Sequence, residues 1–153
     1  MDPFFEAALE EAITGYQEGG IPIGSVIVHE GKILGRGHNR RIQGRAGDPA
    51  RKGNPILHGE MDALEQAGRL SADVYRKCTL YTTLSPCSMC SGAILLYRIP
   101  KVIIGENQNF MGEEDLLRSR GVEVEVLQDQ RCISLMAEFI KKSPGLWFED
   151  IGE

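Results

Sequence analysis

Segments patterned as strands alternate with segments patterned as helices along most of this chain. That alternation restricts it to an α/β sheet covered on both faces. Asp2 and Pro3 read as a helix cap and first turn, and Phe5, Ala8, Leu9, Ala12, Ile13 and Tyr16 then recur at helical spacing up to Gly19-Gly20. Ser25–Val28 and Ile33–Gly37 read as two strands joined by a turn at His29-Glu30-Gly31-Lys32. Further helices are expected over His58–Ala67, Cys87–Tyr97 and Gly112–Ser119, with strands at Thr79–Leu84, Lys101–Gly105 and Val122–Leu127. A last helix places Cys132, Leu135, Met136, Phe139 and Ile140 on one face, and Pro144-Gly145 breaks it before an aromatic and acidic tail. The opening hairpin is antiparallel by construction, so the expected architecture is a three-layer α-β-α fold around a mixed sheet of about five strands. At 153 residues the chain suits a single domain, 1–153.

Two short motifs carry chemistry. His58-Gly59-Glu60 stands at one predicted helix start and Pro86-Cys87-Ser88-Met89-Cys90 at another. Cysteines three apart on a helix share a face, and a helix N-terminus favours the thiolate that a metal requires. His58, Cys87 and Cys90 therefore form a candidate zinc ligand set, and three protein ligands leave a fourth position for water, as in catalytic sites. Zinc lowers the pKa of such a water from about 15.7 to about 7. Glu60, two residues from a ligand, is placed to take and return the proton. A Cys-x-x-Cys alone would equally suit a redox dithiol. A closed structural site would recruit Cys78, Cys132, His29 or His38 as a fourth ligand. Cys78 and Cys132 themselves read as buried structural thiols.

The formal charge of −5 argues against a protein that grips long stretches of nucleic acid. Locally, Arg36, Arg40, Arg41, Arg45, Arg51 and Lys52 cluster with only Asp48 opposing them, as a solvated loop or an anion contact. No apolar run reaches the roughly 20 residues of a membrane span, and the N-terminus lacks the basic region of a secretory signal. The expected location is the cytoplasm, where cysteines stay reduced.

The pattern His-x-Glu followed by Pro-Cys-x-x-Cys marks the zinc nucleobase deaminases. The chain also resembles the small fungal-type cytosine deaminases through Glu18-Gly-Gly-Ile-Pro-Ile-Gly24, Leu34-Gly-Arg-Gly-His-Asn39, Leu57–Glu60, Leu80–Cys87, Gly105–Phe110 and Trp147–Glu153. The resemblance implies a cytidine deaminase-like fold and hydrolysis of cytosine to uracil and ammonia by zinc-bound hydroxide, with Glu60 as proton shuttle. It implies that Asn39 and Asp150 bind the ring edge and that the Gly59 amide holds the ring carbonyl. Phe110, Trp147, Ile23 and Ser85 would shape the pocket, and residues 145–153 would form a lid. It further implies a homodimer with one zinc ion per subunit, acting on a small nucleobase without a membrane or nucleic-acid partner. The segment Gly44–Ile56 is longer than that pattern. Creatinine, guanine or an aminotriazine remain alternative substrates of the same chemistry, and tRNA adenosine is a further one.

Overall fold

The computed structural model describes residues 2–45, 47 and 53–153. Helix α1 (Pro3–Gln17) is capped by the Asp2 carboxylate, which accepts from the Phe4 amide at 2.9 Å, and Pro3 occupies its first turn. Strands β1 (Gly24–His29) and β2 (Lys32–His38) form the hairpin. Glu30 and Gly31 both take positive φ there, as a tight two-residue hairpin turn requires.

Next come α2 (Gly59–Ala67), a short α3 (Ala72–Tyr75) and β3 (Cys78–Leu84). Then α4 (Ser88–Tyr97), β4 (Lys101–Glu106), α5 (Glu114–Ser119), β5 (Glu123–Val126), α6 (Gln130–Lys142) and α7 (Pro144–Asp150) complete the chain. The sheet order is β2-β1-β3-β4-β5. Strand β1 pairs antiparallel with β2 and β3, whereas β3–β4 and β4–β5 are parallel. This is the mixed five-stranded sheet expected.

Alternation along the strands feeds two cores. Val26, Val28, Tyr81 and Ile103 pack with Phe5, Ala8 and Leu9 of α1 and Cys132 of α6. Ile27, Leu80, Val102 and Ile104 point the other way, to Leu64 of α2, Ile94 of α4 and Leu117 of α5. Helices therefore cover both faces, as predicted. A third cluster of Ile21, Ile23, Leu84, Met136, Phe139 and Trp147 closes the sheet end where β3 hands over to α4. No helix among the described residues is long and apolar enough to cross a membrane.

Three local expectations need correction. His58 and Cys87 are helix caps, with extended backbone, rather than first helical residues. Helix α5 begins at Glu114, not Gly112, because the Gly112 and Glu113 amides are bonded to Ser85 and Pro86 instead of entering a helix. Pro144 does end α6, but the tail beyond it is not irregular. Proline cannot continue a helix, yet its fixed φ suits a first turn, and Pro144 opens α7.

Candidate active site

The antiparallel β1–β2 hairpin ends beside α2, and β3 ends at the turn into α4, so two helix N-termini converge at one end of the sheet. His58 caps one and Cys87 the other, with Cys90 in the first turn of α4. His58 Nδ1 lies 3.4 Å from Cys87 Sγ and 3.7 Å from Cys90 Sγ. A tetrahedral zinc ion with ordinary Zn–N and Zn–S bonds would separate nitrogen and sulfur by about 3.6 Å, so the donor set fits that ion. Among the described residues these three form the one such cluster. The candidate fourth ligands lie elsewhere: Cys78 bonds the Val74 carbonyl, Cys132 packs in the α1–α6 core, His29 faces Glu30, and His38 is held by Glu11 and Glu18.

The ligands share protons and charge. Cys87 is drawn down to about 4, first by the thiol of Cys90 and then, against the cost of burial, by His58. Burial opposes a charged His58, but Asp150 and Cys87 outweigh it and carry the ring up to about 10. A divalent cation seated here replaces the shared protons, so its binding releases protons and weakens in acid. Asp150 Oδ1 lies 3.2 Å from His58 Nε2. That contact orients the ring so that Nδ1 faces the sulfurs, the arrangement in which a carboxylate steadies a ligating histidine.

Glu60, 4% exposed, projects from the first turn of α2. Burial, then the charge of Cys87, raises its carboxyl to about 7. It lines a small chamber of about 20 Å³ with Ile23, His58, Ser85, Phe110 and Asp150. A mouth of about 480 Å³ opens outward past Arg41, Cys87, Met111, Glu113 and Glu149.

The profile of the cytidine and deoxycytidylate deaminase zinc-binding region matches residues 2–106, which include all three ligands and Glu60. This chain belongs to the zinc-dependent cytidine and deoxycytidylate deaminase family. A cytosine deaminase of Candida albicans is 58% identical over 149 residues, 97% of this deaminase and 94% of that protein. A tRNA-specific adenosine deaminase of Streptococcus pyogenes is 41% identical over 131 residues, 84% of this deaminase and 72% of that protein. Among solved structures, one from studies of A-to-I editing by tRNA:A34 deaminases superposes with a TM-score of 0.66 at 25% identity, over 87% of this chain and 98% of that one.

The other residues singled out from the deaminase sequence lie around the same chamber in different ways. Asn39, fully buried, donates from Nδ2 to the Asp150 carboxylate at 3.3 and 3.2 Å. Gly59 is the first residue of α2, so its amide lacks a partner within the helix. Phe110 lines the chamber, and Trp147 stands behind it, edge-on at 5.8 Å and 83°. Ser85 reaches the chamber wall, but its hydroxyl is used elsewhere: it donates to Glu114 Oε2 at 2.6 Å and accepts from the Gly112 amide at 2.9 Å.

Sequence reasoning did not find the contact of Asp150 with His58, the Glu114 clasp on Ser85, or Leu84 and Ile151 in the chamber wall. Leu84 alone carried a local signal, as the last strand residue before Ser85-Pro86. The arginine cluster is largely spent on internal partners. Arg36 pairs with Glu10 and Glu11, Arg40 and Arg45 with Asp62, and Arg41 with Glu149. Arg51, Lys52 and Asp48 lie outside the described residues.

Proposed function

We propose that this deaminase converts a free nucleobase, cytosine, to uracil and ammonia. The observation that carries the reading is the meeting of Asn39 and Asp150 against the zinc ligands inside a small chamber closed by the acidic helix α7. Such a chamber suits a small uncharged ring. The carboxylates of Glu113, Glu149 and Asp150 at its mouth oppose phosphate-bearing substrates. The 58% identical cytosine deaminase, matched along nearly its full length, supports the same substrate.

Bound zinc supplies Lewis acidity and an ionised water at neutral pH. His58, Cys87 and Cys90 hold the ion, and the two sulfurs offset its charge. Glu60 accepts a proton from the attacking water and delivers it to the ring nitrogen beside the reacting carbon. It then takes the second proton of that water, from the hydroxyl now on the reacting carbon, and passes it to the departing amine, so that water and cytosine become uracil and ammonia. Asn39 and Asp150 take the ring edge, the Gly59 amide holds the ring carbonyl, and Phe110 with Ile23 and Ser85 walls the base. Trp147 backs Phe110.

Residues 145–153 act as a lid. The chamber of about 20 Å³ has room for roughly one water, so a base enters only when α7 shifts. The protein works as a homodimer with one zinc per subunit, in the cytoplasm. An apolar groove bounded by Ile56, Met61, Leu70, Tyr75 and Tyr97, with Leu96 71% exposed close by in sequence, offers a surface for the second copy. The four free cysteines suit a reducing compartment.

Steady-state assays of the zinc-loaded protein with cytosine, creatinine, guanine and an aminotriazine test the substrate. Cytosine is expected to give the highest kcat/KM. A preference of more than about tenfold for a non-pyrimidine overturns cytosine while leaving the deamination chemistry intact. Inosine formation in tRNA at low salt would point to the nucleic-acid substrate instead.

A further inference from the structure

His38 lies next to Asn39 in sequence but faces away from the zinc, toward α1. Its ring is 4% exposed and meets two carboxylates: Nδ1 is 2.9 Å from Glu11 Oε1, and Nε2 is 2.8 Å from Glu18 Oε1. An ionised carboxylate only accepts hydrogen bonds, so both ring nitrogens must donate, and a histidine donating from both is an imidazolium. With both carboxylates ionised, the pair of contacts requires a charged ring.

The contacts continue to the candidate base-binding residue. Glu18 Oε1 also accepts from Gln43 Nε2 at 3.2 Å, and the same Gln43 nitrogen donates to the Asn39 carbonyl oxygen at 3.0 Å. The remaining polar groups of Asn39 are all engaged as well. Its amide donates to the Ile23 carbonyl at 2.9 Å, Oδ1 accepts from the Arg41 amide at 2.9 Å, and Nδ2 donates to Asp150. With its backbone held from both sides and its Oδ1 and Nδ2 held by the Arg41 amide and Asp150, the Asn39 side chain is fixed in place.

We propose that His38 is a positioning residue: a buried imidazolium, clamped between Glu11 and Glu18, that aims Asn39 at the substrate through Glu18 and Gln43. This rests on the reading of Asn39 as a contact to the base. The charged groups around His38 come from three directions. Glu11 and Glu18 belong to α1 and its cap, and Arg36, from β2, reaches Glu11 at 2.7 Å. Arg40 follows β2, and Asp62 of α2 accepts the His38 backbone amide at 3.1 Å. Burial and the charge of Arg40 work against a protonated ring. The two carboxylates outweigh them, so His38 keeps its proton above the ordinary histidine value. Glu11 and Glu18 are held below the usual carboxylate range, against burial, by the same contacts.

The device separates two tasks. Zinc and Glu60 belong to the chemical step, while the His38 clamp sets where the base rests. Loosening the clamp should weaken base binding and leave the chemical step nearly intact.

The zinc-loaded protein with nitrogen-labelled histidine tests this by NMR, together with kcat and KM for the base turned over best. Both His38 ring nitrogens are expected to carry protons at pH 7.5, where a free histidine side chain is mostly neutral. Glu18→Gln and Gln43→Ala are expected to raise KM about threefold to tenfold with kcat within about twofold. Glu10→Gln, on the solvent side of the same helix, is expected to leave both unchanged. A His38 ring nitrogen without a proton at pH 7.5 overturns the proposal, as do unchanged KM values in both Glu18→Gln and Gln43→Ala. Asn39→Ala separates the two readings. If it raises KM while the clamp variants do not, the clamp fails and the base contact stands. If it leaves KM unchanged, the base contact itself is wrong and the proposal falls with it.

Discussion

Glu60 shows how one side chain acquires its chemistry from its neighbours. An exposed glutamate is ionised at neutral pH and a poor proton donor. Burial, the largest cause, raises this one toward neutrality, the range in which a carboxyl can both hold and release a proton. Glutamine at position 60 keeps the shape but cannot carry a proton. Glu60→Gln is therefore expected to bind zinc with normal stoichiometry and to lose about 10²–10⁴-fold in turnover. Metal analysis beside steady-state rates checks both halves, and near-normal turnover would remove the shuttle role. Asp150 illustrates the same dependence on neighbours. On an isolated tail it would be a solvated charge, yet here it steadies His58 and accepts from Asn39.

At the level of elements, the zinc turn between β3 and α4 is clasped by the segment that leads into α5. Gly112 approaches so closely that a Cβ there would lie 1.8 Å from the Pro86 carbonyl oxygen. The Glu113 amide donates to that oxygen at 3.1 Å, the Glu113 carboxylate accepts from Ser88 at 3.1 Å, and Glu114 takes the Ser85 hydroxyl. These contacts tie the loop that carries Phe110 to the turn that carries Cys87. Gly112→Ala must push the two segments apart, an overpacking that costs about 1–3 kcal/mol. The expected result is a lower melting temperature and easier loss of zinc to a chelator, read by metal release over time. Wild-type zinc retention would show that the clasp and the metal turn are independent. The helix α7 makes the complementary point: a proline that ends one helix starts another, and the second helix brings Asp150 to the site.

For the whole molecule, the ion cluster of Glu11, Glu18 and His38 joins the first helix to the sheet. Its effect on stability has a definite pH window. His38 is raised by folding, so its contribution is complete below about 6.5, its unfolded value, and fades as pH rises through the folded value. Glu11 and Glu18 are lowered from 4.5, so theirs is complete above that value and fades as pH falls through their folded values. The melting temperature lost on His38→Gln should thus be greatest between about pH 4.5 and 6.5, on the order of 5 °C, and smaller at pH 9. Thermal scans of both proteins across pH, compared as differences, check it; a loss that grows with alkalinity would mean that the ring is neutral in the folded protein. Residue order alone determined the layered sheet and the candidate ligand set, and it singled out Glu60 as the candidate shuttle. A metal motif is written in residue type and short spacing, and a strand or helix in the period of its apolar side chains. Only the tertiary structure decided that Asp150 meets Asn39 across 111 positions, that the Glu11 and Glu18 carboxylates meet the His38 ring, and that the described arginines of the cluster are paired with carboxylates. Those contacts depend on sheet order, register and the angle at which helices dock, and no local pattern encodes which distant charge will arrive beside another.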